Sequence, residues 1–513
     1  MAASMRGARL SVLLGALAVA SLAFGSALPA AAAELTIAQE VRIGQREHPG
    51  VVQRFGGEYM DAKVGQYVAD IGKRLIATLP ERAYDYIFTV LDFGDPYAFA
   101  MPGGYIYITR QMLLVANSEA ELAAVLAHEI SHLAQRHANQ RSLLQDQLPG
   151  APVSALADTW NQFNQEQELD ADAVSIRMLA DAGYDPMAQA RFLAAIGEHV
   201  QLAQRAGEPR PRNPNTPPSI AERLRRATQA AQAVERARAG GGALADALAA
   251  GYLPAAASDG PKWTIGREPF LGMIDGLVYG RRPAEGMVIG NTYVDTFNRY
   301  TFTLPPGFHF SRTRPTSISA EGPHGASMLF DMQQLRSVQT ESLAAYLRRS
   351  VISTFELEHV EEQTVADMQA AFGRATAIGQ DGVPAQVLFA TIRVNPTTYF
   401  RFRFFLPGPL SAEMAERMLE APVSLRRLPA AEVASIQPMR LRVLTAEPGT
   451  GIEALAAQMR MLDHPLDWLR MLNHLDAAAG VAPGDKVKVV VHYRKSAPPV
   501  GGALSFFFAS WCG

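Results

Sequence analysis

The sequence predicts a multidomain protein in three folded parts: a helix-rich segment with a small β-sheet, an α+β domain, and a short βααβ module. Three observations predict it. The 513 residues exceed what a single hydrophobic core usually organises. The apolar pattern changes from helical to strand-like near Lys262. A run of three glycines at 240–242 precedes that change. Hydrophobic residues make up 48% and charged residues 19% of the chain, as in folded globular proteins, and a formal charge of −3 gives no electrostatic reason to expect a nucleic-acid partner.

Residues 1–33 read as a secretory signal peptide. Arg6 and Arg9 precede an apolar stretch over 10–24, and small residues follow, with an A-x-A-like site at Ala31 and Ala33. The expectation is an exported, periplasmic protein that begins at Glu34 and has no transmembrane segment after signal removal. Cys512 is the single cysteine, so no intramolecular disulfide forms and any metal site must use histidines and carboxylates.

The first domain is expected over 34–240. "YIFTVLD" (86–92) and "GYIYIT" (104–109) alternate as strands and flank "FGDPYAFAMPGG", read as a turn-rich crossing. Ser118 with Glu121 forms a capping-box pattern that starts a helix. A second helix, "EQELDADAVSIRMLADAG", ends at Gly183 and Pro186. A Pro- and Arg-rich loop follows, and then "IAERLRRATQAAQAVERARA", a helix whose charges read as a solvated face. Residues 241–261 read as a linker. Strand-like runs such as "AQVLFATIRV" and "TYFRFRFFLP" predict an α+β domain over 262–430 with a mostly antiparallel sheet, and His309, His324 and His359 are scattered there without ligand spacing. Residues 438–492 read strand, turn, helix, helix, strand, and 493–513 form a tail.

The chemistry concentrates in "LAAVLAHEISHLAQRHA", 122–138. Residues four apart lie on one face of a helix, about 5.4 Å apart along its axis, so His128 and His132 can present both imidazoles to one ion. Glu129, about 100° around the helix, sits beside that ion, where a general base on a metal-activated water belongs. A catalytic zinc wants three protein ligands and an open position. Glu168 offers the third ligand, and Asp172, one turn further along the same face, is placed to orient a histidine ring; Glu166 and Asp170 point elsewhere. Ala127, Ile130 and Leu133 give this helix a core-facing side, which a surface helix with chance polar residues would lack. One Zn²⁺ per chain is expected.

These residues resemble a known family. "AELAAVLAHEISHLAQRH", "ELDADA", "AGYDP" and "AFAMPGGYIYITRQML" are similar to the HtpX- and BepA-like zinc metallopeptidases, whose relatives include the CAAX prenyl protease and the Oma-type proteases. The resemblance covers about 34–236. It implies a zinc endopeptidase with metal ligands His128, His132 and Glu168, Glu129 as general base and Asp172 in its E-x-x-x-D motif. It also implies a peptide substrate laid along the strand at Gly104, Tyr105, Ile106 and Tyr107, with Arg223, retained from a motif near the site, as a further substrate-binding residue. Tyr97, Gln165 and Pro217 depart from residues the family usually has. No repeat of about 34 residues follows, so a tetratricopeptide tail is not expected. Residues 441–491 resemble a LysM module with a "PGTG" turn, which implies peptidoglycan as a partner. The expected function is hydrolysis of peptide bonds in envelope or misfolded proteins. The alternative is a zinc-binding, low-turnover chaperone or scaffold associated with the cell wall.

Overall fold

The computed structural model describes residues 34–140, 153–205, 219–238, 263–314, 317–338, 340–351, 355–378, 384–408, 412–459, 464–476 and 480–492. The expected signal peptide, linker and tail, with Cys512 and Pro217, lie outside the described residues. Among the described residues no helix is long and apolar enough to cross a membrane.

The N-terminal part opens with helices α1 (Ile37–Arg54) and α2 (Ala62–Ile76). Thr36 and Gln39 close a capping box on α1, and Asp61 caps α2. Val64, Val68, Ile71 and Leu75 of α2 recur at helical spacing and are buried. A three-stranded sheet follows: β1 (Ile87–Leu91), β2 (Ala98–Met101) and β3 (Tyr105–Thr109), in the order β1-β3-β2. β1 runs parallel and β2 antiparallel to β3. The segment expected to be a turn-rich crossing therefore contains a strand. Its turn to β3 uses Gly103 and Gly104, at φ +92° and +94°, and a Cβ on either would stand 2.7 Å from the carbonyl oxygen of Glu40 or Asp85 respectively. Helices α3 (Arg110–Val115), α4 (Glu119–Ala134), α5 (Val153–Asp181), α6 (Ala188–Arg205) and α7 (Ile220–Arg238) complete this part.

The middle part is built on seven antiparallel strands, from the edge strand His359–Val365 to the edge strand His309–Arg314. Helix Leu343–Val351 covers one face through Tyr346 and Leu347 against Phe389 and Tyr399. Helix Ala412–Ser424 covers the other through Met418 and Ala421 against Phe330 and Phe402. The antiparallel α+β architecture is that expected from the alternating runs.

The C-terminal module has strand Met439–Thr445, helices Ile452–Ala456 and Pro465–Asn473, and strand Lys486–His492, the two strands pairing antiparallel. The module does not pack apart from the N-terminal part. Leu441, Leu469 and Val489 join Val68, Leu126 and Phe270 in one continuous apolar core, which crosses the boundaries expected near 262 and 438. Polar contacts fix the register. Asn473 donates to the carbonyls of Leu469 and Lys488, each at 2.8 Å, and accepts from the Lys488 amide at 2.7 Å. Asn117, just ahead of α4, donates to the Asn473 carbonyl at 3.0 Å. The Lys488 ammonium is buried and donates to the carbonyls of Leu114 and Ala116 at 3.1 and 2.8 Å.

Burial pulls Lys488 down from 10.5 to about 7, outweighing the opposite pull of Glu121. Between those two pH values the unfolded chain binds the extra proton, so stability rises with pH across that window. Urea unfolding of the wild type and Lys488→Met at pH 6 to 10 should therefore show the difference moving in the wild type's favour as pH rises above 7. A pH-independent difference would contradict the buried, depressed lysine.

Candidate active site

Helix α4 is fixed at its start before its chemistry begins. The Ser118 hydroxyl accepts from the Glu121 amide at 3.3 Å. The Glu121 carboxylate does not return to Ser118 but accepts from the Asn117 amide at 2.7 Å, so the expected capping box is half formed and reaches one residue further back. Ala127 and Ile130 are fully buried and Leu133 nearly so, which holds one side of α4 in the core and leaves His128, Glu129 and His132 lining a cleft of about 430 Å³.

Helix α5 packs against α4 and brings Glu168 and Asp172 to the same place. Nε2 of His128 and Nε2 of His132 lie 3.1 Å apart. Oε2 of Glu168 is 3.4 Å from the first and Oε1 is 3.5 Å from the second. Donors bound about 2.0–2.2 Å from one ion at tetrahedral angles are separated by roughly 3.3–3.5 Å. The three donors all fall within 4.8 Å of one another, and the set of two imidazoles and one carboxylate leaves a fourth position open. These residues fit a zinc ion.

Asp172 is almost fully buried and places Oδ1 3.0 Å from Nδ1 of His128, the ring nitrogen facing away from Glu168. Arg223, on α7, closes the arrangement. Its Nε and Nη2 donate to the two Asp172 oxygens at 2.7 and 2.8 Å, and its Nη1 lies 3.0 Å from Glu168. Gln189 adds a 2.8 Å hydrogen bond to Asp172. Burial would raise both carboxyls, yet in Asp172 the contacts with Arg223 and His128, and in Glu168 those with His128 and Arg223, hold them below the usual range. Burial would lower His128, but contacts with Asp172 and Glu168 push it up to about 10. Glu129 is different. Burial dominates and pushes its carboxyl up to about 7, although the Ala100 amide donates to it. A carboxyl near neutrality can both take and return a proton.

The expected substrate strand requires correction. Tyr105, Ile106 and Tyr107 belong to β3, which is hydrogen-bonded on both edges and whose side chains are buried, and Gly104 is consumed by the turn into it. β3 has no edge to offer a peptide. The strand at the cleft is β2: Ala98, Phe99 and Ala100 line it, and the Ala100 amide points to Glu129. Arg223, expected on a solvated face and as a substrate-binding residue, lines the cleft but spends its guanidinium on Asp172 and Glu168, and Ala227, Ala231 and Val234 bury the same side of α7 against α5 and α6. Tyr97 is half exposed just before β2, packed edge-on to Phe55, and Gln165 is exposed on α5. The opposite wall is apolar, with Phe192, Leu193, Ile196 and Val200 from α6.

Removing Arg223 would leave the buried Asp172 and the partly buried Glu168 carboxylates without their counter-charge. Arg223→Ala is expected to lose about 3–5 kcal/mol in urea unfolding, and Arg223→Lys to recover only part of it because an ammonium cannot bind Asp172 through two nitrogens. A loss below about 1 kcal/mol would contradict the pairing.

Residues 62–159 match the model of Peptidase family M48. The chain is 28% identical over 227 residues to the Beta-barrel assembly-enhancing protease of Escherichia coli (strain K12), covering 39% of this chain and 46% of that protein. It is 28% identical over 170 residues to the Putative beta-barrel assembly-enhancing protease of Vibrio cholerae, covering 28% and 35%. Similarity also extends to the Mitochondrial metalloendopeptidase OMA1 of Schizosaccharomyces pombe, 26% identical over 166 residues, covering 29% and 49%. The chain spans about half the length, or less, of these relatives. The N-terminal part of the chain is thus similar to M48 metallopeptidases, with the beta-barrel assembly-enhancing proteases and OMA1 among its relatives.

Proposed function

We propose that the protein is an exported zinc endopeptidase that hydrolyses peptide bonds of envelope or misfolded proteins in the periplasm. The observation that carries this reading is the convergence of His128, His132 and Glu168 with a buried, near-neutral Glu129 beside them. Relatives named for β-barrel assembly support an envelope substrate, and the arginine-flanked apolar stretch at the N-terminus supports export.

In this reading His128, His132 and Glu168 hold one zinc ion. The ion supplies Lewis-acid polarisation of the scissile carbonyl and of water. Glu129 takes the proton from the attacking water and delivers it to the leaving amine nitrogen. The Ala100 amide keeps the Glu129 carboxyl oriented toward the cleft. An extended substrate pairs with the outer edge of β2, and the apolar wall of Phe192, Leu193, Ile196 and Val200 receives a bulky apolar side chain. Asp172 holds the His128 ring, and Arg223 neutralises Asp172 and Glu168 without touching the peptide. The C-terminal module is expected to brace the catalytic helix, with peptidoglycan as a ligand for whatever face remains outside that contact.

The test is cleavage of unfolded casein by the full mature chain with product termini mapped. Glu129→Gln should retain its zinc and lose about 10²–10⁴-fold in rate, the range that general-base removal alone accounts for. Products should carry bulky apolar residues next to the cleavage point. Wild-type turnover by the Gln variant would overturn the assignment.

A further inference from the structure

The two histidines at the donor set are held differently. His128 rests on a carboxylate, Asp172. His132 turns its Nε2 toward His128 and Glu168, and its other nitrogen, Nδ1, lies 2.8 Å from Nδ1 of His137. The two rings meet edge to face, centroids 5.0 Å apart at 72°. His137 is buried, 3% exposed, so water does not compete for this contact. Two nitrogens at that separation share one proton.

Backbone geometry brings the pair together. On an uninterrupted helix, residues five apart point about 140° away from each other. Helix α4 ends at Ala134, and Arg136 adopts φ +55°, which returns the chain toward the cleft and starts a new helical turn at 137–140. Arg136 is fixed there by Glu40, at 2.8 and 3.1 Å, and by the Leu35 carbonyl. Gln167 of α5 donates to the His137 carbonyl at 3.1 Å. The far nitrogen, Nε2 of His137, lies 3.7 Å from Asp170. A left-handed turn clamped from three sides is a costly way to place an imidazole.

We propose that His137 is a positioning residue for the metal, accepting the Nδ1 proton of His132 so that His132 presents Nε2 to the ion. This rests on the metal-site reading above. A histidine that ligates through Nε2 carries its proton on Nδ1, and a fixed acceptor there sets both tautomer and ring angle. His137 then carries its own proton on Nε2, toward Asp170. Asp170, which pointed away from the donor set in the helical reading, takes its place as the outer end of this line. The site thus holds its histidines in two separate ways: Asp172 with Arg223 behind His128, and His137 behind His132, with Asp170 3.7 Å beyond it as a nearby negative charge.

The experiment uses the full mature chain and zinc itself. Zinc Kd is measured by chelator competition, and cobalt-substituted protein is read by its d–d absorption, for the wild type, His137→Leu and His137→Asn. The Leu variant should bind zinc about 10–100-fold more weakly, with a shifted cobalt spectrum. The Asn variant, whose amide oxygen accepts near the position of Nδ1, should return to within about 3-fold of the wild type. Histidine ¹⁵N spectra of the zinc-loaded wild type should find His137 protonated on Nε2 and not on Nδ1, a readout independent of whether a variant folds. Wild-type affinity in the Leu variant, an Asn variant as weak as Leu, or a proton on Nδ1 of His137 would each overturn the proposal. A wild-type chain that takes up no zinc would overturn the metal reading itself.

Discussion

One buried guanidinium makes the donor set tenable. Glu168 and Asp172 stand one helical turn apart in a cleft largely closed to solvent, where two adjacent carboxylates would repel each other and one would take up a proton. Arg223 spans both, with two hydrogen bonds to Asp172 and a 3.0 Å approach to Glu168. With that charge in place both stay ionised. Asp172 can then hold the His128 ring, and Glu168 remains a competent ligand. His128 and Arg223 also pull Glu129 down, but burial outweighs them and leaves it near neutrality. The same cleft therefore holds carboxyls in opposite states, which suits one to bind a cation and the other to move a proton.

The surroundings of α4 explain how such a site stays rigid. The loop before the helix is held by Asn117, which bonds to Asn473, and by the Lys488 ammonium on the carbonyls of Leu114 and Ala116. Trp468 of the C-terminal module meets His199 edge to face, and His199 also lines the cleft. Burial without a compensating partner lowers His199 to about 4, so it remains a neutral part of that wall at neutral pH. The C-terminal module is thus built into the same core as the metal-binding helix, and its folding and the site's geometry are linked through shared packing.

Much of the site was legible because helical spacing speaks directly. His128 with His132, and Glu168 with Asp172, are i and i+4 pairs, and the small and apolar residues between them mark the buried side. The sheet was only partly legible. "YIFTVLD" and "GYIYIT" carry strand alternation, whereas β2 is four residues between Pro96 and Pro102, too short to announce itself. Without β2, β3 looks like an edge strand open to a peptide; β2 beside it closes that edge. Arg223 was masked by its neighbours: Arg225 and Arg226 on the same helix do form an exposed charged face with Glu222. His137 has a spacing that no regular helix places beside His132, and only the positive φ of Arg136 reveals the contact. The merging of the C-terminal module into the first core depends on contacts more than 300 residues apart, such as Lys488 to Leu114 with a separation of 374, and no local pattern encodes those.

His128, His132 and Glu168 converge as the donors of a zinc site. Zinc K-edge absorption spectroscopy on the purified mature chain, combined with metal stoichiometry, tests it most directly. The expected result is one zinc per chain in a shell of nitrogen and oxygen donors, with the multiple-scattering pattern of two imidazoles and no sulfur. A chain purified without zinc that fails to take it up, or a zinc shell lacking two imidazoles, would contradict it.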